Sequence, residues 1–86
     1  MHRSVSDQVL IQLIEADVDI GFALVDEAKS CRLTGRPEFS KRALQEANEI
    51  VFDIERRLQQ IGDAGSAPFL PLVEELRAEI AVAKRE

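Results

Sequence analysis

VSDQVLIQLIEADVDIGFALVDEAKSCRL, residues 5–33, runs without a proline and is apolar around most of its circumference. Projected at about 100° per residue, Gln8, Gln12, Glu15, Asp19, Asp26 and Lys29 fall on one narrow polar strip. Val9, Leu10, Ile11, Leu13, Ile14, Val18, Ile20, Phe22, Leu24, Val25, Ala28 and Cys31 occupy most of the rest. The apolar arc covers roughly 260°, where a surface helix shows one a little over 100° wide. The stretch therefore predicts a central helix over about 5–33. Ser4 supplies its cap, and Asp7 places an acidic group near the positive end of the dipole.

Two breaks come after it. Thr34-Gly35-Arg36-Pro37 combines a glycine suited to the left-handed end of a helix with a proline suited to the start of the next. Gly62-Asp63-Ala64-Gly65-Ser66-Ala67-Pro68 reads as a flexible connection of turn formers and small residues. Between them, about 37–61 predicts an amphipathic second helix. Its apolar face has three seven-residue columns: Ala43 and Ile50; Leu44, Val51 and Leu58; Ala47, Ile54 and Ile61. Such columns imply long, nearly antiparallel packing on a neighbour. A shorter third helix, about 68–85, carries the stripe Phe69, Leu72, Val73, Leu76, Ile80 and Ala83. No segment alternates with period two over a strand's length. The expectation is one all-α domain over 1–86, a three-helix up-down-up bundle.

Two neighbours that each mask roughly 100° leave about 60° of the first helix uncovered. Along a helix of about 43 Å, that gap is a patch of several hundred Å², large for a monomer. The sequence thus predicts a homodimer through the first helix, with Leu10, Leu13, Ile20 and Leu24 as interface candidates. The alternative is a small acidic chaperone or adaptor that holds an amphipathic helix of a client protein in the gap.

Asp17 stands inside the apolar arc, one turn from Leu13 and Ile20. An unpaired buried carboxylate is costly, so it requires a partner, a proton or solvent. Counting outward from Gly35, an antiparallel hairpin brings Asp17 level with about residues 52–57, and Arg57 continues the Ala43 and Ile50 column there. An ion pair between Asp17 and Arg57 that sets the alignment of the two helices is expected. Phe52, alone on the polar side of the second helix, is a candidate partner anchor.

The remaining chemistry is sparse. The 86 residues hold one histidine, His2, in the N-terminal tail, and one cysteine, Cys31. Glu15, Asp19 and Asp26 share a face, but the Glu-x-x-His pairs of carboxylate-bridged metal bundles are missing. There is no Gly-rich phosphate loop and no nucleophile–base set. No enzyme, cofactor or metal is expected. The net charge of −5, with 45% hydrophobic and 31% charged residues, disfavours both disorder and nucleic-acid binding. Arg36, Lys41 and Arg42 at the first turn, with Arg56 and Arg57, are small basic clusters interleaved with acids. No apolar run reaches the roughly 18 residues of a membrane span and no signal peptide opens the chain. With a lone cysteine, these features predict a cytoplasmic protein.

From about Asp17 to Asp53 the chain resembles a tetratricopeptide-type helical hairpin. Aligned on Gly35, Leu24 and Ala28 match that family's large and small positions in its first helix, and Ser40, Leu44 and Ala47 its small, large and small positions in the second. Glu27 and Cys31 stand where the family places Leu and an aromatic residue, and no proline closes the second helix. The resemblance covers under half the chain and implies protein–protein interaction without catalysis.

Overall fold

The computed structural model describes the backbone of residues 5–85 and the side chains of residues 7–85. Ser4 and His2 lie outside the described residues. The fold is all-α, with no strand among those residues. Helix α1 spans Val5–Leu33 and α2 spans Pro37–Ser66; a 3-10 turn at Ala67–Phe69 leads into α3, Leu70–Arg85. The radius of gyration is 14.5 Å and the extents are 55 × 18 × 14 Å. A compact chain of this length would have a radius of about 12 Å, so the molecule is a rod built on one long hairpin.

The turn between α1 and α2 is made by backbone. Gly35 has φ 77°, a conformation that costs a residue with a Cβ but not glycine. Its N–H donates to the Arg32 carbonyl at 3.1 Å, and the Arg36 N–H donates to the Cys31 carbonyl at 2.7 Å. These two bonds form a Schellman motif, which satisfies carbonyls that the end of a helix leaves open. The Thr34 hydroxyl adds bonds to the Ser30 and Cys31 carbonyls at 3.0 and 3.2 Å. Pro37 then sits at the start of α2, where its missing N–H is harmless.

The second break differs from its sequence reading. The seven residues from Gly62 to Pro68 are not a flexible connection, and helical structure continues beyond Ile61 to Ser66. Only Gly62 leaves helical geometry, at φ 82° and ψ 174°. Because one glycine absorbs the whole change of direction, the residues after it return to helix. The Ala67 N–H and the Ser66 hydroxyl both donate to the Asp63 carbonyl, the latter at 3.2 Å. Pro68 and Pro71 fall in first turns, where proline is tolerated. The path from α2 into α3 is thus a long bent helix.

The core is a seam of small and branched side chains. Ile14, Val18, Val25 and Ala28 from α1 meet Ala43, Leu44, Ala47, Val51, Ile54 and Leu58 from α2. Phe69, Val73, Leu76, Ile80 and Ala83 close it from the α3 side. Leu72, read as part of the α3 stripe, is exposed instead; its neighbour Val73 takes the core position. Ile50 and Ile61 are only partly buried. Helix α3 lies against α1 through Gly21 and Leu76, Lys29 and Glu79 (3.9 Å), and Arg32 and the Ala83 carbonyl (3.0 Å). It lies against α2 through an ion pair between Arg77 and Glu55.

Gly21 is the point of closest approach. A Cβ there would stand 2.6 Å from a Leu76 methyl, and Leu76 is fully buried. Glycine inside a helix costs about 1 kcal/mol relative to alanine, and here it makes room for α3. We expect Gly21→Val to destabilise the fold by about 1–3 kcal/mol through overpacking, measured as a lower urea midpoint without loss of helicity in water.

Candidate functional site

Buried positions on α1 are 14, 18, 21, 25 and 28, a four-three spacing that keeps one edge of a helix facing its neighbours. Turned away from that edge is a second row with the same spacing: Val9, Leu13, Ala16 and Ile20. Val9, Leu13 and Ile20 retain 48%, 42% and 47% of their surface. Within this chain, α2 and α3 therefore do not enclose α1. The acids Glu15, Asp19 and Asp26 are exposed along one border of the row.

The other border runs along the hairpin groove. Leu10 and Leu24, the remaining apolar candidates, are half-buried there, and Leu24 and Ile50 pack against the core. Asp17 lies in the same column of α1 as Leu10 and Leu24, and Arg57 in the same column of α2 as Ile50. The structure joins the two: an Arg57 guanidinium N–H donates to Asp17 Oδ2. Their side chains are 17% and 27% exposed for Asp17 and Arg57 respectively. The pair spans the groove with apolar side chains to either side, where solvent screening is reduced.

Phe52 sits apart from these residues and is 68% exposed, the least covered aromatic among the described residues. Phe39, near the hairpin turn, is 53% exposed and was not singled out from sequence. Position 39 is one helical step off the buried Ser40, Ala43 and Leu44 set, so its exposure was readable from the same projection. Gly21 was also missed; a glycine set in an unbroken apolar helix is itself a sign of close backbone approach.

Among the described residues, no group of three or more His, Cys, Asp or Glu side chains is placed to hold a metal ion. Glu15, Asp19 and Asp26 lie along the helix rather than converging. Cys31 is a free, partly buried thiol. Among the described residues, no helix is long and apolar enough to cross a membrane. The chain matches no known family model, no characterised protein and no solved structure.

A double-mutant cycle on Asp17→Asn and Arg57→Gln should return a coupling of about 1–2 kcal/mol, because contacting charged groups with reduced screening couple measurably. The more exposed pair Arg77–Glu55, 54% and 33% exposed, should give about 0.5 kcal/mol or less. Equal couplings for the two pairs would show that the groove gives Asp17 and Arg57 no special environment.

Proposed function

We propose that this chain is a non-catalytic helical interaction module, a three-helix up-down-up bundle that forms a homodimer through α1. One observation carries the reading: Val9, Leu13 and Ile20 stay open to solvent in the single chain, in a row with the spacing of the buried seam. Exposed apolar residues scattered singly are ordinary, whereas a continuous row marks a contact surface. Ala16 at the middle of the row lets a second helix approach closely. The tetratricopeptide-type resemblance, the sparse titratable chemistry and the lone cysteine fit a cytoplasmic partner protein rather than an enzyme. In this reading Asp17 and Arg57 hold the α1–α2 alignment that presents the row, and Leu10 and Leu24 border the contact.

A second reading draws on the acidic border. Glu15, Asp19 and Asp26 beside an apolar row suit a basic amphipathic helix of a client, and they would face like charges in some dimer geometries. This is the chaperone or adaptor alternative, with Phe52 as a further anchor.

Light scattering after size exclusion, over a concentration series, separates the two. The dimer reading expects twice the chain mass at high concentration and a shift to monomer in Ile20→Glu at unchanged helicity. A protein that stays monomeric throughout, yet is stabilised by a basic amphipathic peptide, would replace the dimer with the client reading.

A further inference from the structure

At the hairpin end of the rod, the last turns of α1 and α3 meet the first turns of α2 around a cleft of about 310 Å³. Its walls bring together Arg32 from α1, Lys41 from α2 and Lys84 from α3. Among the described residues, no acid lines it, although the chain as a whole carries a net charge of −5. In sequence these cations are separated by up to 52 of the chain's 86 positions; only the fold gathers them.

The polar groups between them point the same way. Arg32 is oriented by its bond to the Ala83 carbonyl at 3.0 Å, which also fills one of the carbonyls α3 leaves open at its end. Lys41 and Lys84 form no ion pair among the described residues. Ser40 lines the cleft and is only 4% exposed, and its hydroxyl has no hydrogen-bond partner among the described residues. None of those residues has a fully enclosed side-chain oxygen or nitrogen left unpaired, so the Ser40 hydroxyl keeps some access to solvent at the cleft wall that Ser40 lines. Gln45 and Asn48 add amide donors, and Leu44 gives the floor an apolar part. The first turn of α2 contributes the positive end of its dipole.

From this arrangement we infer that the cleft binds a small organic phosphate monoester, with the phosphate held by Lys41, Lys84 and the Ser40 hydroxyl and an apolar body resting on Leu44. Two lysines converging from two helices match a dianion better than the single charge of a carboxylate. The volume is at the lower end of small-molecule sites, which suits a ligand of one ring or less beyond the phosphate. Binding ties α3 to the hairpin, because Lys84 lies in the last turn of α3 and Lys41 near the start of α2. The site is independent of the α1 row.

Phenyl phosphate, titrated into the full chain at constant ionic strength and followed by amide NMR, tests this. Saturable shifts at Ser40, Lys41, Asn48 and Lys84 are expected, with binding at least about tenfold tighter than that of benzoate. Lys41→Gln combined with Lys84→Gln should abolish them, while Arg56→Gln, away from the cleft, should leave them intact. Shifts that do not saturate, that chloride reproduces, or that persist in the double variant would overturn the site. Benzoate binding as tightly as phenyl phosphate would overturn its assignment to phosphate. Circular dichroism of the double variant guards against a trivial loss of fold, which is not expected because both lysines are exposed.

Discussion

The packing of α1 constrains everything else in this molecule. A helix can be touched by only as many neighbours as fit around it, and each covers roughly a third of its circumference. Ile14, Val18, Val25 and Ala28 on α1 are buried against α2 and α3, and Gly21 lets α3 close in. Since α1 is apolar over far more than that edge, its far side remains greasy. The hairpin turn, the Asp17–Arg57 pair and the bend at Gly62 all act to hold two helices on one edge of a third. None of them adds cover to the other edge.

Much of this was legible in the residues, because the decisive signals were periodic or conformational. The width of the apolar arc on Val5–Leu33 implied an incompletely covered helix. Gly35 before Pro37 implied a backbone-made turn. A carboxylate at position 17 inside an apolar arc implied a partner; antiparallel counting narrowed it to about residues 52–57, and the Ala43 and Ile50 column selected Arg57, to which the structure joins it. Effects of tertiary placement could not be read in the same way. Seven small and turn-forming residues look the same whether all of them bend or one does. The difference lies in Gly62 taking the full change of direction and in the buried Phe69 pinning the start of α3. Leu72 and Val73 are adjacent and equally apolar, and only the angle at which α3 arrives selects Val73 for the core.

The cationic cleft belongs to the same class of hidden feature. Lys41 read in sequence belongs to a small basic cluster with Arg36 and Arg42, interleaved with acids, which is only a weak sign of a phosphate-binding surface. Lys84 read alone complements the dipole of the last turn. Their meeting with Arg32 depends on α1 and α3 ending at the same level as α2 begins. That coincidence comes from chain length and turn position rather than from any local pattern. The apolar row and the cleft also differ in kind, one an exposed apolar strip and the other a small cleft with cationic walls.

The inequality in helix length makes the rod asymmetric from end to end. Helix α3 has 16 residues where α1 has 29, and its contacts at Gly21, Lys29 and Arg32 align it with the later half of α1. The hairpin end is therefore three helices thick, whereas the opposite tip, with Val9 and Leu13, is a two-helix prong. A thin prong opens at lower free energy than a thick base. The solvent-facing apolar row thus starts on the thinner end of the molecule, and a partner docked there would also splint it.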